Sequence, residues 1–272
     1  MSMPALMSEP MSEISRSAAT RAIAEPVSIV DIPVLILVGV TGVGKSTTLA
    51  ALNAAGFVYT LLPDRRELTD RMIIARLQVE DGETPRLVTD RAERFDYTRR
   101  YRERFGGGMA HALTSLRVDS DSAQQTLLFD GLRGADEVRY AAEYLPQARF
   151  LVLDAPDVLR VERLLTRRDA FDQIAAAART DTSNIFDNLP GVDEFFGPIE
   201  KQHLRALVDQ GNVSADDLSA KLSIVITERR NYDPTAAITE LTRLASPRTL
   251  VVNTAETKPE EVARQVIEFW KA

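Results

Sequence analysis

The sequence predicts an α/β protein: a three-layer, doubly wound parallel sheet of five strands carrying helical insertions. Three observations predict it. Short β-rich apolar runs alternate with longer helical stretches, the pattern of a parallel sheet covered by helices. The first such run, "PVLILVGV" (33–40), has no polar position and reads as a strand buried on both faces. A chain of 272 residues, 44% hydrophobic and 27% charged, is also long enough to bury a large core.

The elements follow in order. Residues 1–31 are rich in Ser, Ala, Met and Pro and read as a disordered tail. They lack the apolar centre of a secretory signal, and Glu9, Glu13 and Glu25 oppose a transit peptide. After the first strand, "KSTTLAALNAAG" reads as a helix stopped by Gly56. "FVYTLL" (57–62), "QTLLFDG" (125–131), "ARFLVLDA" (148–155) and "RTLVVNT" (248–254) supply the other four strands. "DEVRYAAEYL" (136–145), "PDVLRVERLLTRR" (156–168) and "PEEVARQVIEFWK" (259–271) follow the last three as helices, with Trp270 packing the last onto the sheet. Residues 32–272 thus form one domain with two insertions, 63–124 and 169–247. The first is densely charged: eleven Arg, no Lys and ten acidic residues lie between Asp64 and Arg104. Within it "RAERFDYTRRYRERF" should be a helix with Tyr97, Tyr101 and Phe105 on one face, broken by the glycines at 106–108. The second should be mostly helical, with a loop at "DNLPGVDEFFGP".

Composition excludes several chemistries. The chain has no cysteine, which removes disulfides, thiolate metal sites and cysteine nucleophiles and suggests a reducing cytoplasm. Its two histidines, His111 and His203, are too few and too far apart for a histidine-rich zinc site and read as surface or packing residues. A net charge of −7 argues against nucleic acid as the main partner. No apolar run approaches the ~18 to 20 residues of a membrane span.

The chemistry-bearing stretch is "GVTGVGKS". Gly39, Gly44, Lys45 and Ser46 match G-x-x-x-x-G-K-[ST], with a strand before and a helix after. Such a loop turns backbone N–H groups toward phosphates at the positive end of a helix. Thr41, Gly42 and Val43 complete the loop and Thr47 follows it. Lys45 would pair with the β- and γ-phosphates, and the Ser46 hydroxyl would ligate Mg²⁺. Asp130 closes an apolar strand where a second magnesium ligand is expected, either directly or through water, or a base. The next residue is Gly131, so the glutamate that would position water in an ATP hydrolase is missing. Arg133 stands where a GTPase switch needs Gly, and no transporter-ATPase signature occurs. Transfer to a bound acceptor remains.

These residues resemble the P-loop nucleoside- and nucleotide-kinase superfamily, adenylate kinase-like proteins above all. "LLFDGLRGADEV" is similar to its D-G-[FILY]-P-R segment, without the Pro and with Arg133, the acceptor contact this likeness implies, one position early. "VLDAPDVLRVERLLTRRD" resembles its fourth strand and the helix leading to a lid, with Arg163 and Arg167 at R-[IL]-x-x-R spacing. "RTLVVNTAETKPEEVARQVI" resembles its last strand, adenine-side loop and final helix. The resemblance covers about half the chain, 33–62, 125–168 and 247–271. It implies a P-loop kinase-type sheet of 2-3-1-4-5 order, ATP with Mg²⁺, and in-line transfer. It also implies arginines at 163 and 167 that clamp the moving phosphate, an acceptor-binding segment at 63–124 and a lid at 169–247.

Arg65, Arg66 and Arg71, introduced by Asp64, follow the second strand and should lie near the carboxyl edge of the sheet, where open α/β sheets bind ligands. They suit an anionic, nucleotide-like acceptor. Equally, they suit a solvated face paired with the ten acids. The function expected is an ATP- and Mg²⁺-dependent small-molecule kinase. The alternative is an ATP-binding regulatory or scaffold protein with slow or no hydrolysis. A nucleic-acid end kinase rests on arginine density alone.

Overall fold

The computed structural model describes residues 25–119, 121–166, 185–187 and 189–272. Five parallel strands make the main sheet: Val34–Val38 (β1), Thr60–Leu61 (β2), Leu127–Leu132 (β3), Ala148–Asp154 (β4) and Thr249–Asn253 (β5). Their spatial order is β2-β3-β1-β4-β5. The fold class and the sheet order expected from the sequence are both present. β2 is shorter than the expected 57–62, because Phe57 N–H is still donating to Leu52 O (3.0 Å) to close the preceding helix.

Strand alternation divides the core between two faces. Val34, Ile36 and Val38 join Leu127, Phe129 and Phe150 on one side. Leu35 and Leu37 join Leu128, Leu151 and Val252 on the other. The helices in chain order are Lys45–Ala54 (α1), Arg65–Leu68 (α2), Ala75–Glu80 (α3), Arg91–Arg104 (α4), Met109–Thr114 (α5), Ala135–Tyr144 (α6) and Asp157–Thr166 (α7). Then come Val192–Phe195 (α8), Pro198–Asp209 (α9), Ala215–Asn231 (α10), Pro234–Ala245 (α11) and Pro259–Lys271 (α12). α1 and α12 cover one face, while α5, α6 and α11 cover the other. No helix among the described residues is long and apolar enough to cross a membrane.

Three expected boundaries move. Val27–Ser28 pairs antiparallel with Arg117–Val118 and Ile29 is fully buried, so the folded domain begins before residue 32; residues 1–24 of the expected tail lie outside the described residues. In the second insertion, α7 to α10 share a separate core that includes Leu164, Phe196, Leu204, Leu222 and Val225. α11 instead packs Ala237, Leu241 and Ala245 into the sheet's own core, so the insertion ends with α10 and not at 247. In the first insertion, Tyr97 and Tyr101 of α4 and the α5 residues Ala110, Ala112 and Leu113 are buried in the main core, which makes this segment part of the body.

α4 shows how its charge density is accommodated. Asp90 caps it by accepting from Glu93 N–H (2.8 Å). Tyr101 is buried, its hydroxyl bonded to His111 Nδ1 at 2.7 Å. Outward, Arg99 pairs with Asp96 and Glu103, Arg100 with Asp81, and Arg104 with Glu80. The turn after α4 needs glycine: Gly107 has φ +91° and an added Cβ would stand 2.3 Å from the Tyr140 ring. Gly107→Ala should therefore destabilise the protein by about 1–3 kcal/mol, read as a lower thermal midpoint. An unchanged midpoint would mean the ring and backbone move aside freely.

Candidate active site

The loop 39–44 leaves β1 at the carboxyl edge of the sheet and ends at Gly44, the left-handed N-cap of α1. Gly42 lies against the next element: a Cβ there would meet Arg160 Cβ and O at 3.0 Å, with φ at +87°. Close packing of the loop on α7 thus demands glycine. A G-x-x-x-x-G-K-S loop between a buried strand and a helix, on a 2-3-1-4-5 parallel sheet, decides the architecture. This is a P-loop fold.

Lys45 folds back over the loop. Its Nζ donates to Gly39 O (2.8 Å) and Val40 O (3.3 Å) and stands 3.7 Å from Asp130 Oδ1. Burial draws the ammonium down to about 8, against the pull of Asp130. Burial likewise raises Asp130 above the ordinary carboxylate range, with Lys45 and Arg133 opposing. Asp130 Oδ1 is shielded from solvent and accepts no hydrogen bond. Ser46 and Thr47 are exposed on the first turn of α1. A carboxylate oxygen that accepts no hydrogen bond and, on α1, an exposed hydroxyl are hard oxygen donors of the kind that Mg²⁺ takes alongside phosphate and water. No cluster of three or more His, Cys, Asp or Glu able to hold a metal occurs among the described residues.

One cavity is lined by the loop and a second lies beyond it, on the far side of Glu228. The first, of about 280 Å³, is lined by Gly42, Gly44, Thr47, Arg163, Thr254 and Pro259 among others. Arg163 donates to Gly42 O (3.2 Å), Thr254 Oγ1 (2.9 Å) and Thr254 O (2.8 Å), so it bridges the loop to the turn after β5. The other, of about 420 Å³, lies between the first insertion and α10. Arg66, Arg94, Phe95, Arg102 and Arg133 line it, opposite Ile224, Thr227 and Asn231.

Between loop and larger cavity sits a residue that sequence reasoning missed. Glu228 of α10 accepts four hydrogen bonds: from Thr41 N–H (2.8 Å), Thr41 Oγ1 (2.6 Å), Arg133 (2.6 Å) and Arg160 (2.7 Å). Arg160 is almost wholly buried and also donates to Thr41 O (2.8 Å) and Asp157 (2.6 Å). Burial would raise Glu228, but Arg133, Arg160 and Thr41 prevail and hold it below its usual range. Arg160 was visible as the first arginine of the run 160, 163 and 167. Glu228, 187 residues from Thr41, carried no local signal.

The remaining expected contacts divide. Arg65 lines the larger cavity but is saturated: it donates to Glu137 Oε1 (2.6 Å) and Oε2 (2.9 Å), to Gly131 O (2.6 Å) and to Tyr232 OH (3.1 Å). Asp64 caps α2 by accepting from Glu67 N–H at 2.8 Å. Arg71 pairs with Glu67 on an exposed face and does not line the cavity. Arg66 and Arg133 do line it. Arg167 lies outside the described residues.

No protein-family profile matches the chain, and no curated protein matches it. Among solved structures, a sulfotransferase from Alicyclobacillus acidocaldarius is similar at 10% identity and a TM-score of 0.38, over 88% of this chain and 81% of that one. A shikimate kinase from Bacteroides thetaiotaomicron is similar at 15% identity and 0.38, over 89% and 99%. A sugar kinase from Janibacter sp. HTCC2649 gives 13% and 0.36, over 88% and 95%. Likenesses of this degree assign no chemistry to this chain, whose fold stands on its own sheet order and phosphate loop.

Proposed function

We propose that the chain is an ATP- and Mg²⁺-dependent small-molecule kinase acting on an anionic metabolite, with nucleotides and nucleosides the first candidates. One observation carries the reading: the phosphate loop lines a smaller cavity that reaches the turn after β5, and through Glu228 it is bonded to the wall of a larger cavity lined with arginine. A donor in the smaller and an acceptor in the larger would lie on either side of Thr41, Glu228 and Arg133. The loop amides and Lys45 hold the β- and γ-phosphates, and Lys45 gives up Gly39 O and Val40 O to do so. Ser46 and Asp130 would hold Mg²⁺, which when bound offsets the charge on the phosphate oxygens. Alternatively Asp130, raised by burial, would act as the base for the acceptor's proton. Gly131 offers no carboxylate to activate water, and closure of the surrounding helices on the acceptor would exclude it further.

The test is ADP release from ATP and Mg²⁺ against a panel of nucleosides, nucleoside monophosphates and phosphorylated metabolites. One acceptor should raise the rate by orders of magnitude over the basal rate. A flat panel with ATP binding intact would favour the second reading, a regulatory P-loop protein, which the occupation of the Thr41 amide by Glu228 supports. Arg163→Ala should weaken ATP binding by roughly 10- to 100-fold, the worth of a lost charged hydrogen-bonding group. Unchanged affinity by titration calorimetry would remove Arg163 from the donor site.

A further inference from the structure

The groups around Glu228 are those that bind phosphate: a phosphate-loop amide, a hydroxyl and two guanidinium groups, all within 2.8 Å of one carboxylate. Each carboxylate oxygen accepts two of them, Oε1 from Thr41 Oγ1 and Arg133, Oε2 from Thr41 N–H and Arg160. The donors are held from elsewhere. Arg160 keeps Asp157 and Thr41 O without Glu228, and Arg133 N–H is fixed on Glu137 (2.9 Å). Arg133 and Glu228 also line the larger cavity, which gives the cluster an opening. We propose that Thr41, Arg133 and Arg160 form a phosphoryl-binding site for which Glu228 is an internal competitor. A phosphate-bearing ligand enters by displacing this carboxylate, and its arrival detaches α10 from the phosphate loop. The chain thereby couples filling of the site to the shape of the cavity wall formed by Ile224, Thr227 and Asn231. This deepens the kinase reading but rests on the donor geometry and needs no turnover.

The test compares full-length wild type with Glu228→Ala for binding of inorganic phosphate by titration calorimetry, at constant ionic strength in chloride. A ligand that must first displace an internal occupant binds more weakly by the fraction of time the site is open. Glu228→Ala should therefore bind phosphate about tenfold or more tightly than wild type. Phosphate should also raise its thermal midpoint more than that of wild type. Adding Arg133→Ala should abolish the gain. Should Glu228→Ala fail to fold, Glu228→Gln keeps the side-chain volume while weakening the competitor, and the same gain is expected at smaller size. Equal phosphate affinity in wild type and the folded variant, or a gain that survives loss of Arg133, overturns the proposal. A chain that passes this test yet transfers phosphate to no acceptor would keep the site and sink the kinase.

Discussion

Lys45→Met should lower acceptor-dependent ADP formation by about 10²–10³-fold or more, the scale on which loss of one preorganised charge-stabilising group is felt. The variant should fold, because the lysine donates only to Gly39 O and Val40 O, carbonyls of its own loop, and stands 3.7 Å from Asp130. Burial has already drawn the ammonium down to about 8, so its removal relieves a desolvation cost that offsets the loss of its charge beside the buried Asp130, where Arg133 remains. A thermal midpoint close to that of wild type with activity lost is the expected pair of results. Steady-state ADP release and a melting curve on one preparation check both. Retained activity would sink the assignment of the loop as the phosphoryl-transfer site.

Arg160→Met should be the most destabilising single change at the site, by about 3–5 kcal/mol. The guanidinium is almost wholly buried, and its loss strips a donor at once from Glu228, Asp157 and Thr41 O. The loss arises from leaving Glu228 in the interior with fewer partners. Urea denaturation should show a lower midpoint at similar slope. A loss under about 1 kcal/mol would mean that water or Arg133 replaces the lost contacts. Glu228 adds a pH signature. Its folded-state value lies below the ordinary 4.5, so its stabilisation is full above that pH and is lost as pH falls through the lower folded value. The stability gap between wild type and Glu228→Gln should accordingly shrink below about pH 4.5 and stay level above it. A gap independent of pH would detach Glu228 from its arginines.

What could be read in the sequence was what physics keeps local. The phosphate loop is contiguous, and its glycines, lysine and following helix announce themselves within a few residues. The strands were legible because burial on both faces leaves unbroken apolar runs such as Val34–Val38. The ends of elements were less legible: Phe57 is given to the closing turn of α1, a matter of one hydrogen bond. The fate of the arginines was illegible, since it depends on partners far along the chain. Arg65 looked like any other arginine of the segment, yet Glu137, Gly131 and Tyr232 take up its guanidinium. α11 was assigned to the insertion because helical pattern does not say which core a helix joins.

The pairing of β1 has a consequence for biosynthesis. Its first residue, Val34, aligns with Leu127 on one side and Ala148 on the other, and neither neighbouring strand is adjacent in sequence. The nearer partner lies 93 residues downstream (127 − 34). At typical translation rates the ribosome needs about 5–20 s to make that length. Throughout that interval the most apolar strand of the protein has left the ribosome without either mate. The nascent chain therefore offers a long-lived sticky segment to chaperones, and the central sheet assembles late, after the β4 sequence has emerged.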